Sequence, residues 1–237
     1  MMVQSCRIDV ERYKAILFDM DGVITDTMKF HYEAYRQAFE PLGIHLTPLD
    51  VYLTEGMPSL EVGRALVKKY GVSIEDEKVR DVVEHKRELY RTLAAGHIQM
   101  YPNVHDTIEL LRDNGIKLAL VSGSNMVSVT KVIAEISMEG KFDAIVAGSE
   151  TERGKPYPDP YVKAMNMLGI TGENSVVIEN APLGIQSAKA AGVDYVIAVT
   201  TTLPESYLTE ADDIMPSFTD IEDCLAKRFK DAQKKSS

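Results

Sequence analysis

Apolar residues along this chain gather in short runs separated by amphipathic stretches. Aliphatic and β-branched clusters occur at 15–18, 116–121, 143–147, 175–178 and 194–199, and a weaker one at 213–215 precedes Pro216. Helical spacing fills most of the intervals, at 103–114, 126–138, 158–168 and 182–191. Strands alternating with helices predict right-handed crossovers and an α/β fold with a doubly wound, mostly parallel sheet. Ser175-Val-Val-Ile is apolar after its first residue, as a strand covered on both faces should be. The run at 213–215 would add an edge strand.

One interval breaks the alternation. Between the first strand and the next, residues 28–42, 59–70 and 75–95 carry helical spacing and no convincing strand intervenes. A structureless loop of that length is implausible in a folded domain. Residues 28–98 are therefore expected to form an inserted all-helical domain, with 1–27 and 99–237 forming the core. Such an insertion would sit over the carboxyl ends of the strands, where open α/β sheets bind ligands. Helices that merely pad the sheet edge are the alternative. The tail from Lys227 to Ser237 reads as a fraying, solvated helix end.

Composition narrows the picture in a few places. At 237 residues the chain suffices for one core plus a small insertion. A formal charge of −10 argues against nucleic-acid binding, and it requires any anionic ligand to be drawn in by a local positive site. The longest uncharged stretch, residues 118–130, is too short and too polar to cross a membrane. The N-terminus lacks the apolar block of a signal peptide. Cys6 and Cys224 have no metal-type spacing, so a reducing, cytoplasmic environment is the simplest expectation.

Four segments would meet at the strand ends. In Phe18-Asp19-Met20-Asp21-Gly22-Val23, two carboxylates close the first buried strand. Like charges about 4 Å apart repel by roughly 4 kcal/mol at an effective dielectric near 20. The pair either caps a turn facing water or is compensated by a hard cation such as Mg²⁺. Ser122-Gly123-Ser124-Asn125 joins a strand to a helix, and can hydrogen-bond phosphate or simply cap that helix. In Gly154-Lys155-Pro156, the proline holds Lys155 in extended backbone, from which it presents a point charge to phosphate or to water. Asp159 and Pro160 read as N-cap and first helical residue. Glu179 and Asn180 end the fourth strand as oxygen donors suited to Mg²⁺, or as caps of the helix that follows.

In this order the four segments, with Gly184-Ile185 and Ala190-Ala191-Gly192 after them, resemble the haloacid dehalogenase superfamily over essentially the whole chain. The likeness is to its phosphatase and β-phosphoglucomutase-like branch, which carries a helical cap on a Rossmann-like core. The resemblance implies Asp19 as nucleophile forming an aspartyl-phosphate, and Asp21 as general acid and then base. It implies Mg²⁺ held by Asp19, Asp21 (through its carbonyl), Glu179 and Asn180, with phosphate held by Ser122, Gly123 and Lys155. Asn180 departs from the usual Asp. That removes one negative charge from the metal site and provides an N–H that can reach the substrate.

His31 and Lys86 match cap and hinge positions that reach the general acid or the ligand in the mutases, and Thr27 matches another hinge residue. Each has packing, solvation or helix capping as its plain alternative. The mutases carry an arginine just past the cap-loop glycine for a second phosphate, whereas here Gly56 is followed by Met57-Pro58-Ser59, and Arg64 does not match that position. Glu55-Gly56 and Ile178-Glu179-Asn180-Ala181-Pro182 look instead like an inorganic pyrophosphatase subgroup, in which a cap Glu reaches the metal. The expectation is a Mg²⁺-dependent phosphatase for a small phosphorylated metabolite, acting as a monomer or weak homodimer without membrane or nucleic-acid partners. Hexose-phosphate mutase and pyrophosphatase are the enzymatic alternatives. An inert phosphate-binding module is the alternative of another class.

Overall fold

The computed structural model describes residues 7–235. Its centre is a six-stranded, fully parallel sheet in the order β3-β2-β1-β4-β5-β6. The strands are β1 (Ala15–Phe18), β2 (Lys117–Ser122), β3 (Ala144–Ala147), β4 (Ser175–Glu179), β5 (Tyr195–Val199) and β6 (Asp213–Met215). β1 and β4 are buried along their whole length, because helices cover both faces and leave no solvated side to alternate toward. One face packs Ile16, Phe18, Leu118, Leu120, Val176 and Ile178, and the other packs Leu17, Ala119, Val121 and Val177.

The crossover helices α5 (Val104–Asp113), α6 (Met126–Glu135), α7 (Asp159–Leu168) and α8 (Pro182–Ala190) lie where the periodicity predicts them, each shorter at one or both ends by one to three residues. α7 starts at Asp159 with Pro158 in the cap position, one residue earlier than the sequence reading, and Asp159 instead binds Arg153 at 2.9 Å. Asn125 caps α6, accepting from the Ser128 N–H at 3.0 Å.

Residues 28–94 hold α1 (Met28–Phe39), α2 (Pro48–Tyr52), α3 (Ser59–Lys69) and α4 (Asp76–Ala94), packed around a separate cluster that includes Phe39, Ile44, Leu66 and Val83. α2 escaped the sequence reading because five residues are too few to show a period. Its signal is chemical: the Thr47 N–H and hydroxyl both donate to the Asp50 carboxylate at 2.6 Å. The two connections to the core run side by side, Asp26 N–H donating to Gln99 O at 2.9 Å and Tyr101 N–H to Ile24 O at 3.1 Å.

α9 (Phe218–Lys235) is helical through Lys235; Leu225 and Phe229 dock in the sheet core, while Lys227, Lys230, Asp231, Lys234 and Lys235 are exposed, as a solvated helix end implies. Cys224 is buried, and Cys6 lies outside the described residues. Among the described residues no helix is long and apolar enough to cross a membrane.

Candidate active site

β1 is an inner strand between β2 and β4, so residues ending these strands emerge side by side at the carboxyl edge. Asp19, Ser122 and Glu179 occupy those ends, at 3%, 3% and 1% exposure. The loop before α7 brings in Lys155, which is 2% exposed and therefore not a solvated loop lysine. Its ammonium donates to Asp19 Oδ1, to Glu179 Oε1 at 2.6 Å and to the Val121 carbonyl at 3.3 Å.

Glu55 reaches the same place from the helical insertion and is also buried. Asn180 binds it, donating from Nδ2 to Glu55 Oε2 at 2.9 Å and to Thr202 Oγ1 at 2.9 Å. Lys155 thus serves two of three buried carboxylates, Asp19 and Glu179, while Glu55 has the Asn180 amide. Burial and the crowding of negative charge raise Asp19 and Glu55. Burial pushes Asp19 up to about 8, with Lys155 pulling it back and Glu179 and Asp21 adding to the rise. Burial, then Asp19 and Glu179, hold Glu55 well above the usual carboxylate range. Burial opposes the charge on Lys155, but Asp19 and Glu179 outweigh it and hold that group well above an ordinary lysine.

A second chain of contacts holds Asp21. Thr27 donates to its Oδ1 at 2.5 Å and His31 Nε2 stands 3.2 Å from the same oxygen. Lys86 Nζ lies 2.9 Å from His31 Nδ1 and 4.4 Å from the centre of the Tyr35 ring, while the Tyr90 ring stacks on His31. Burial would raise Asp21, but His31 and Thr27 outweigh it and keep the carboxyl below its ordinary value. Burial and the neighbouring Lys86 lower His31, and burial lowers Lys86 to about 7. Thr27 makes no side-chain cap on α1, which leaves its hydroxyl committed to Asp21 and Thr25.

Asp19, Asp21, His31, Glu55, Lys86 and Gly123 line one small cavity, about 60 Å³, closed on one side by the loop 54–57. Gly56 in that loop has φ +86°, and a Cβ there would lie 2.6 Å from Lys155 Cδ, so only glycine lets the loop settle against the lysine. Ser122, next to Gly123 in the chain, accepts at its Oγ from the Ser124 N–H at 3.1 Å. Arg64 is not part of the site; it pairs with Asp76 at 2.6 Å on the surface.

Among the described residues no three His, Cys, Asp or Glu side chains form a ready-made metal cage. A hard cation is nonetheless suited to what is present. Asp19 Oδ2, Glu55 Oε1 and Asn180 Oδ1 are buried without a hydrogen-bond partner, amid surplus negative charge. Glu179, expected as a ligand, has both oxygens engaged: Oε1 accepts from Lys155 and from Tyr161 OH at 2.7 Å, and Oε2 from the Asn180 N–H at 3.0 Å. Here it partners the lysine. Sequence reasoning missed Tyr161, Thr202 and the Tyr35/Tyr90 pair beside Lys86. A tyrosine in a helix, or a threonine after a strand, carries no pattern that separates it from packing.

Residues 16–198 match the model of the haloacid dehalogenase-like hydrolase family. The chain is 32% identical to a phosphorylated carbohydrates phosphatase from Thermotoga maritima, over 80% of this chain and 87% of that protein. It is 27% identical to a β-phosphoglucomutase from Bacillus subtilis, over 76% of this chain and 80% of the relative. Among solved structures, CbbY from Rhodobacter sphaeroides in complex with xylulose-(1,5)bisphosphate aligns with a TM-score of 0.74 at 26% identity, covering 87% of this chain and 95% of that one.

Proposed function

Because the chain belongs to the family of haloacid dehalogenase-like hydrolases, we propose that it is a Mg²⁺-dependent phosphatase that hydrolyses a small phosphorylated metabolite through a phosphoryl group carried on Asp19. Its relatives include phosphatases and a phosphomutase, and the chain is an enzyme of that kind. The observation that carries the proposal is the state of Asp19. One of its carboxylate oxygens is held by Lys155 and the other is buried with no partner at all.

In this reading Asp19 Oδ2 attacks phosphorus while Lys155 and Ser122 hold the phosphoryl oxygens, and the phosphoryl group rests on the aspartate until water displaces it. Asp21 protonates the leaving oxygen and later takes a proton from the attacking water. His31 and Thr27 favour its ionised form, the state needed for the second task. Asp19, through the oxygen not bonded to phosphorus, would hold Mg²⁺ together with Asn180 Oδ1 and the Asp21 carbonyl; the cation supplies charge neutralisation between an anionic nucleophile and an anionic phosphate. The helical insertion serves as the cap that excludes water and selects the substrate.

A hydrolase is favoured over a mutase because no cation from loop 54–58 enters the cavity, and Arg64 is committed to Asp76. A second reading, inorganic pyrophosphatase, is favoured by one observation: Glu55 is buried against Asn180 with Oε1 bare, beside a cavity of only about 60 Å³. The partner in either case is a small anion rather than nucleic acid, which the charge of −10 disfavours. The absence of a membrane partner, a cytoplasmic location and a monomeric or weakly dimeric state belong to the same reading.

The deciding assay is phosphate release from sugar phosphates, phosphoglycolate and pyrophosphate, with Mg²⁺ and with a chelator. Metal-dependent release from a phosphomonoester, abolished by Asp19→Asn in a folded protein, is expected. Release from pyrophosphate alone would select the second reading, and turnover unaffected by Asp19→Asn would overturn both.

A further inference from the structure

Tyr161 lies among the apolar side chains that cover one face of the sheet, Leu17, Val121 and Val177 with it, and is 0% exposed. A phenol placed there without a partner would be costly to bury, and phenylalanine would fill the same space. Its hydroxyl is not idle: it donates to Glu179 Oε1 at 2.7 Å. The ring of the same residue lies 5.1 Å from the Lys155 ammonium. One side chain therefore touches both members of the pair.

Glu179 is enclosed on its remaining sides as well. Its Oε2 accepts from the Asn180 N–H, and on α8 Gly184 approaches so closely that a Cβ would lie 1.9 Å from Oε1. A glutamate has three rotatable bonds, and Lys155 alone would not decide which rotamer it keeps. Donors fixed on two separate elements do. The consequence passes to Lys155, which sits between Glu179 and Asp19 and has its position set by both.

We propose that Tyr161 is a positioning residue, whose hydroxyl fixes Glu179 as the standing partner of Lys155 and so aims the ammonium at a phosphoryl group bound beside Asp19. The proposal deepens the phosphatase reading and rests on it for the identity of that group. Tyr161 touches no substrate; it acts through Glu179.

The test is a double-mutant cycle read in the affinity for orthophosphate, measured calorimetrically on the full chain with Mg²⁺. Tyr161→Phe keeps the ring beside Lys155 and removes only the donor. It should weaken orthophosphate about ten-fold, the scale on which supporting contacts around a site act. In the Glu179→Gln background the same substitution should cost less than about two-fold, because the partner through which it acts has lost its charge. Gly184→Ala, which displaces the glutamate from the opposite side, should reproduce the loss and serves if Tyr161→Phe melts below the assay temperature. Equal losses in both backgrounds, unchanged affinity in Tyr161→Phe, or wild-type affinity in Gly184→Ala would overturn the proposal. Turnover of the phosphoester panel by the wild-type protein judges the proposed function separately, since the cycle can be read in a protein that hydrolyses none of them.

Discussion

Asn180→Asp restores the carboxylate that related enzymes usually carry, and here it should destabilise the metal-free protein. The Asn180 amide stands 2.9 Å from Glu55 Oε2, so the variant sets two carboxylate oxygens at that distance. At an effective dielectric near 20, this separation corresponds to a repulsion of about 6 kcal/mol. The amide-to-carboxylate hydrogen bond, worth roughly 1.5–3 kcal/mol, is lost as well. Glu55 sits on a loop of the helical insertion and will swing away or take up a proton, relieving much of this. If roughly 3 kcal/mol survives, melting in chelator should fall by about 6–12 °C for a chain of this size. Mg²⁺ should reverse the order, because the cation turns the added charge from a liability into a ligand. Thermal unfolding followed by circular dichroism, in chelator and across a Mg²⁺ titration, measures both effects. Melting within 1 °C of wild type in chelator, together with an equal gain from Mg²⁺, would refute the view that the amide exists to satisfy Glu55.

Asp50 offers a pH test away from the site. Burial would raise its pKa, but the hydrogen bonds from Lys69, Thr47 and Tyr70 outweigh burial and hold it well below the carboxylate range. A depressed folded-state value contributes stability that is fully present above the unfolded value near 4 and is lost as pH falls through the folded one. Asp50→Asn should therefore cost about 1–3 kcal/mol at pH 7 in chemical denaturation, with the gap closing below pH 4; a constant gap at all pH values would show that charge plays no part. Gly56→Ala should lose about 1 kcal/mol to left-handed backbone strain and roughly ten-fold in kcat/KM, since its Cβ would press on Lys155. Gly71→Ala, with φ +67° and nothing within 4 Å, is the control that should show the strain without the loss of rate.

Much of the candidate site's strand-end edge was legible because strand-end chemistry is local. Asp19, Ser122 and Glu179 each end or follow a short apolar run, and parallel β1, β2 and β4 bring these ends together without further information; Lys155 was marked instead by the Gly-Lys-Pro loop. The helical insertion was legible from a missing strand. Two things were not. α2 is shorter than the period that would reveal it. The partners of Glu179, a candidate metal ligand by residue type, are Lys155, Tyr161 and the Asn180 N–H, and no local pattern announces them.

The sequence by itself determined the order of elements, the sheet's class and the residue types at its carboxyl edge, because backbone periodicity and turn chemistry act over a few neighbouring residues. Only the tertiary structure decided which carboxylates share an ammonium, that Glu55 crosses from the insertion to meet Asn180, and that Tyr161 reaches Glu179. Those pairings join residues far apart in the chain, and their energies come from burial and mutual distance. Neither quantity exists until the chain has folded.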